Sequence, residues 1–257
     1  MNNQKNNIND LLNDVKSILE QEGVFFWLDF GSLLAAIRDK KYFTWDKDLD
    51  FGIFYDDIDK VLGSLKIFED KGYHIRIEKD LPFVDGIIQI YPPKEIFNNI
   101  SSLDHIDLLV YKKHQDGFWM RQLYWPRGRY ATIYKYIWRM IYIFSGKFEH
   151  KNKVVKIIRK LPLLVRHYLS KRMIMFLINM SSCRYNYIPS NNFKSFINIK
   201  FYNLNFNIPE CYENHLEYLY GSDWKIPIQD WQWRRDARTE KFLPASMLGN
   251  PHFIYNR

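Results

Sequence analysis

The chain has 257 residues, 47% apolar, 18% aromatic and 26% charged, enough for one large domain or two smaller ones. That much aromatic surface excludes a solvated, disordered polymer, and eleven Gly with ten Pro exclude a collagen-like or linker-dominated chain. The net charge of +8 is uneven: Arg121 to Arg172 carry 14 Lys or Arg against one acid, Glu149, a balance of +13, and the remaining 23 basic and 28 acidic residues stand at −5.

Two cysteines, Cys183 and Cys211, are too few for a disulfide framework and suit a reducing, cytoplasmic setting. The polar start has no apolar run with a small-residue cleavage site, and no apolar window reaches the roughly 18 residues of a bilayer span. The expectation is a cytoplasmic protein that does not cross a membrane by itself.

In chain order, Asp10 to Gln21 reads as a helix with a stripe of Leu11, Leu12, Val15, Ile18 and Leu19, capped by Asn9 or Asp10. Residues 24–30 (VFFWLDF) read as a buried strand, and 32–41 as a helix that Ser32 can cap. Asp48 to Phe54 alternates acid and apolar at the period of a strand, and Asp56 to Asp70 returns to helical spacing. Residues 73–79, 83–91 and 105–113 follow as strands, with 117–125 pairing back on the last of them. The basic stretch is helical, Val154, Val155, Ile158 and Leu161 alternating with Lys153, Lys156, Arg159 and Lys160, until Pro162 breaks it. A hairpin over 196–209 and a helix over 211–221 complete the pattern, with an irregular tail. The class is α+β, a mixed sheet flanked by helices with a basic helical insertion. The divisions fall at 1–125 for a catalytic core, 126–190 for the basic aromatic segment and 191–257 for a hairpin and helix packed on the core.

Three pieces carry chemistry. Where the first strand feeds the next helix, Gly31-Ser32 offers backbone N–H groups and a hydroxyl to an anion, although a plain helix cap explains the pair equally. Asp48 and Asp50 lie on one face of a strand, and Asp46 extends the alternation. Hard oxygen ligands so placed suit Mg²⁺ or Mn²⁺, and a solvent-facing edge strand is the alternative. Asp107 is the one acid in an otherwise apolar strand run.

In this order the pieces resemble the nucleotidyltransferase superfamily. More closely, residues 26–54, with Leu28 to Leu34, Arg38 and Trp45 to Asp50, resemble the LicD/fukutin family. Pro209, Tyr220, Gly221, Trp224 and Pro227 fit a late pattern of the same family, whereas Ala35-Ala36 departs from its usual Gly-Ala. The basic stretch at 126–190 has no counterpart in the resemblance.

The resemblance implies a nucleotidyltransferase-like fold and a phosphotransferase. Such an enzyme moves phosphocholine, ribitol phosphate or glycerol phosphate from CDP-choline, CDP-ribitol or CDP-glycerol to a sugar hydroxyl of a cell-surface glycan, releasing CMP. It further implies Asp48 and Asp50 as metal ligands and Asp46 as a third or outer one. Asp107 becomes a ligand or the base for the attacking hydroxyl, and Gly31, Ser32 and Arg38 become donor-phosphate contacts. Arg38 can instead pair with Asp46 or another nearby acid, and Trp45 can stack on a base or simply pack. Two rivals stand: a nucleotidyltransferase that attaches a nucleotide from an NTP, and a non-catalytic module that binds a polyanion or a membrane through 121–172. The basic aromatic segment reads first as a solvated helical insert whose apolar side packs on the domain, next as peripheral contact with an anionic membrane or a lipid-linked glycan acceptor, and last as a nucleic-acid surface.

Overall fold

The computed structural model describes residues 3–77, 83–84, 86–93, 103–114, 117–122, 130–145, 153–180, 182–228, 240–244 and 252–253. The chain divides into two compact units, one of Met1–Arg76, Ile87–Met120 and Tyr187–Glu240, the other of Ile77–Gly86, Arg121–Asn186 and Lys241–Arg257.

The first unit opens with helix α1 (Asn3–Gln21), longer than expected because Ile8 joins the buried stripe of Leu11, Leu12, Val15, Ile18 and Leu19. Strand β1 (Phe26–Leu28) leads into α2 (Phe30–Leu34), which runs on as a π-helical turn over Ala35–Asp39. The expected Ser32 cap is displaced: helix entry falls at Phe30, and the Asp29 carboxylate caps it by accepting the Phe30 N–H at 2.9 Å. Phe30 takes φ +38, rare for a residue with a side chain, so the elbow between strand and helix is strained. Burial of the Phe30 ring in a cluster with Trp27, Tyr111 and Leu219 holds it there.

Strand β2 (Asp48–Phe54) follows, then α3 (Ile58–Asp70), which packs on α1, and β3 (His74–Ile77). The expected strand over 83–91 is two, β4 (Phe83–Val84) and β5 (Ile87–Tyr91), because the halves pair with different partners. Strand β6 (His105–His114) turns back as β7 (Gly117–Gln122). Expected strand residues 78–79, 85 and 123–125 lie outside the described residues.

The sheet is mixed: β1 runs antiparallel to β2, β2 parallel to β6, β6 antiparallel to β5, and β5 pairs with β3. Register matters at two points. Trp27 lies opposite Gly52, where a Cβ would sit 2.1 Å from the indole, so no larger residue fits. Asp50 lies opposite Asp107.

The second unit contains α4 (Tyr130–Ser145), α5 (Lys153–Arg159) and α6 (Leu163–Met180), with Pro162 at the break expected of it. Ile143 and Phe144 of α4 pack on Val155 and Ile158 of α5, with Leu169 and Met173 of α6 against them. Strand β8 (Ser182–Pro189) leads back to the first unit, where β9 (Phe196–Phe201) and β10 (Leu204–Pro209) form the expected hairpin, followed by α7 (Tyr212–Tyr220). The C-terminal tail is not wholly irregular: it holds β11 (Glu240–Pro244) and β12 (His252–Phe253), the latter pairing with β4. No helix among the described residues is long and apolar enough to cross a membrane.

Candidate active site

Parallel pairing of β2 with β6 brings the expected acids together. Side chains two apart on a strand share a face, so Asp48 and Asp50 from β2 meet His105 and Asp107, their register partners on β6. Asp48, His105 and Asp107 each offer a ligand atom within 4.8 Å of the others, so these three could hold a metal ion. Asp46 and Asp50 adjoin this group without belonging to it. Asp46 shares a side-chain hydrogen bond with Asp48, and Asp50 faces Asp107 across the strand pair.

The elbow braces Asp50. The Gly31 N–H donates to Asp50 Oδ2 at 3.0 Å, the Asp50 N–H donates to Ser32 Oγ at 2.8 Å, and the Asp29 N–H donates to the Asp50 carbonyl at 3.1 Å. Gly31 lets the acids come close, since a Cβ would stand 2.8 Å from Asp46 Oδ2 and 3.2 Å from Asp50 Oδ2 and would push them aside. The close approach expected of a phosphate is made in this structure by two carboxylates.

Electrostatically the group is strained by its own charge. Burial, then repulsion from Asp46 and Asp107, raises the Asp48 carboxyl to about 7. Asp50 is pushed well above the carboxylate range by burial and by Asp48, Asp107 and Asp46, and Asp46 is raised chiefly by burial. The only ion-pair partner of these acids among the described residues is His105, whose Nε2 lies 3.1 Å from Asp107 Oδ1 and 4.0 Å from Asp48 Oδ2. Burial lowers the His105 pKa, but its bond to Asp107 and the surrounding acids outweigh burial and leave it raised. The Nδ1 of the same ring is buried with no hydrogen-bond partner. Gathered carboxylates and one imidazole are a donor set that could hold a divalent cation.

Behind the elbow lies a second polar group. Asp29, fully enclosed, accepts from Phe30 N–H, from the Tyr111 hydroxyl at 2.8 Å and from His215 Nε2 at 3.0 Å, and Asn192 holds the other His215 nitrogen at 3.1 Å. Arg38 pairs with the adjacent acid Asp39, its Nε donating at 3.0 Å, and it also donates to the Trp224 carbonyl at 3.3 Å. Trp45 stacks on Phe43 (centroids 5.1 Å apart, 11° between planes) yet is 72% exposed, so it is not a packing residue.

His105 escaped the sequence reading, although its alternation with Asp107 puts it on the same face. Asp29 stands in the family stretch without a role read for it, Tyr111, Asn192 and His215 have none either, and nothing in their spacing joins the four. Tyr220 of the late pattern lies close enough to Asp50 and Asp29 for their charges to raise its pKa, after burial.

A mixed α+β sheet carrying paired acids beside a strand–helix elbow is the framework on which the comparisons bear. The family model described as LicD/FKTN/FKRP, nucleotidyltransferase domain, matches residues 23–211, and the chain belongs to this family. An uncharacterised protein of Rickettsia prowazekii, RP689, is 32% identical over 69 residues, 27% of this chain and 26% of that protein. The human ribitol 5-phosphate transferase FKRP is 46% identical over 44 residues, 17% of this chain and 9% of that protein. The matches thus span about a quarter or less of those relatives. Among solved structures, the antibiotic-resistance factor ANT(2'')-Ia aligns at 11% identity and a TM-score of 0.30, over 65% of this chain and 87% of that one. That likeness is too distant to bear on function.

Proposed function

We propose that this protein transfers phosphocholine, ribitol phosphate or glycerol phosphate from a CDP-linked donor to a sugar hydroxyl of a glycan, releasing CMP. The observation that carries the reading is the convergence of Asp48, Asp50, Asp107 and His105 on one face of the β2–β6 pair. Family membership and the local similarity to a ribitol 5-phosphate transferase support it.

The hydroxyl oxygen attacks the phosphorus nearer the transferred group, the bond from that phosphorus to the bridging oxygen breaks, and CMP leaves with that oxygen. Phosphoryl transfer passes through a loose transition state, so positioning and charge neutralisation dominate. Asp48, Asp107 and His105 would hold Mg²⁺ or Mn²⁺, with Asp50 beside them as a further carboxylate, and the ion would supply charge neutralisation for the diphosphate. A carboxylate has two oxygens, so Asp107 can ligate through one and accept the hydroxyl proton on the other, with His105 beside it. Gly31 and Ser32 serve by fixing Asp50, and the Arg38 guanidinium, beside Asp39, would contact the donor's diphosphate.

The test is incubation with CDP-choline, CDP-ribitol and CDP-glycerol plus Mg²⁺ and candidate glycans, following CMP. CMP formed with phosphodiester on the glycan supports the reading. Pyrophosphate released from an NTP, with no CMP from any CDP-linked donor, overturns it in favour of nucleotide transfer.

A further inference from the structure

The helical unit places apolar residues where a globular protein places polar ones. At the corner between α5 and α6, Ile157, Leu161, Leu163, Leu164, Val165 and Tyr168 are all exposed, Leu164 to 83%. Residues 161–165 form an unbroken apolar run in which Pro162 is exposed as well. The unit does not lack a core in which to bury them: Val155 and Ile158 of the same short helix are buried against α4, on the side away from Ile157. Arg166 N–H bonds to the Pro162 carbonyl at 3.1 Å, so the corner is an ordered turn rather than a loose end. Isolated exposed apolar residues need no explanation, but a contiguous group at an ordered turn does.

Charge selects the occupant. Lys156, Arg159 and Lys160 precede the run and Lys171 and Arg172 follow it, all exposed, and no acid occurs between Glu149 and Glu210. A protein partner would need an acidic rim around an apolar pocket. An anionic bilayer offers both in one surface: lipid phosphates for the ammonium and guanidinium groups, and acyl chains for the apolar tip. The stripe Leu164, Tyr168 and Phe176, four and eight residues apart on α6, extends the apolar surface along the helix, with Arg172 in the same row.

We propose that the α5–α6 corner is a membrane-seating tip, which inserts Leu161 to Val165 into the interfacial layer of an anionic phospholipid bilayer while the surrounding lysines and arginines hold the headgroups. This goes beyond the transfer reaction and does not depend on it, since none of these residues lies among the acids of the candidate site.

The full-length protein is floated with vesicles of phosphatidylcholine alone and of phosphatidylcholine with phosphatidylglycerol. Wild type should float with the anionic vesicles and not the neutral ones, less so at high salt. Leu163→Ser with Leu164→Ser should lower the bound fraction tenfold or more on anionic vesicles, and Lys156→Glu with Lys160→Glu should do likewise. Both pairs are exposed, so unfolding is not expected, and circular dichroism checks it. As a second measurement, Leu164→Trp should gain a fluorescence component quenched by brominated lipid that wild type lacks. Absence of wild-type flotation, or flotation unchanged in both double variants, overturns the proposal. So does a self-associated species that Leu163→Ser with Leu164→Ser abolishes while vesicle binding is absent.

Discussion

Two groups of carboxylates lie on either side of the strained elbow at Phe30, and they are satisfied in opposite ways. Behind it, Asp29 is enclosed and accepts from a backbone N–H, a tyrosine hydroxyl and an imidazole. In front, Asp48 and Asp50 are half-buried, and their nearest charged company is each other, Asp46 and Asp107, with one histidine. Burial alone does not assign the roles, since Asp107 of the front group is buried too; the sign of the neighbours does. Asp29 holds the elbow in place, whereas the front group carries a repulsion that only a cation or protons relieve. The same elbow serves both, since Asp29 caps α2 while Gly31 and Ser32, the next residues along, brace Asp50.

The sharpest way to break this comparison is to neutralise one acid of each kind. Asp50→Asn should lower CMP release by about a thousandfold, the scale of losing one group that stabilises a transition state's charge. Its thermal stability without metal should hold or rise, because an amide sits among the other acids without needing a proton. Asp48→Asn should behave alike. Behind the elbow the order reverses. His215→Ala leaves Asp29 buried without its imidazole and should cost roughly 3 kcal/mol in chemical denaturation. Tyr111→Phe should cost about 1 kcal/mol, a single hydrogen bond to a buried carboxyl. If Asp50→Asn unfolds the protein while His215→Ala leaves it intact, the assignment of support and site is wrong.

The sequence made the front group visible and hid the rear one, for a physical reason. Alternation along a strand is local, so Asp46, Asp48 and Asp50 declare their shared face within five residues, and Asp107 stands out as a charge in an apolar run. Register is not local: that Asp107 lies opposite Asp50 depends on how β6 docks, which no short pattern encodes. The Asp29 network is harder still, because Tyr111, Asn192 and His215 are 82, 163 and 186 residues away and become neighbours only in the folded core. Helix entry misled for a related reason. Ser32 has the chemistry of a cap, but tertiary pairing with the Asp50 amide claims its hydroxyl, and Asp29 caps instead. The basic helices were legible from spacing and Pro162, whereas which of their apolar residues face outward was not.

A pH series sharpens the same contrast at smaller amplitude. In the metal-free protein Asp48 keeps its proton to about pH 7, whereas in the unfolded chain it loses it near pH 4. Between these values the native state binds more protons, so stability falls as pH rises through the window. His105 acts in the same direction. Its raised pKa contributes stability that is full below its unfolded value and lost as pH rises through the folded one. The melting temperature without metal should therefore drop from pH 5 to pH 8. Added Mg²⁺ should restore more at pH 8, where the ligands are ionised, than at pH 5, where protons compete. A metal increment independent of pH would mean that the ion binds elsewhere.

The smallest expected effect concerns Trp45, one position before the first acid of the alternation. Its indole rests on Phe43, over which the Arg38 guanidinium sits at 5.1 Å, and its other face is open. On the proposed function, an aromatic plane backed on one side and largely exposed, one residue before Asp46, would take the base of the nucleotide donor. Stacking on an aromatic side chain is worth about 1–3 kcal/mol per base. Trp45→Ala should accordingly raise KM for the CDP-linked donor at least several-fold, with kcat and the acceptor KM nearly unchanged, and Trp45→Phe should recover most of the loss. A fall in kcat with donor KM constant would instead tie Trp45 to the placement of Asp46, and so to the front group itself rather than to the donor's base.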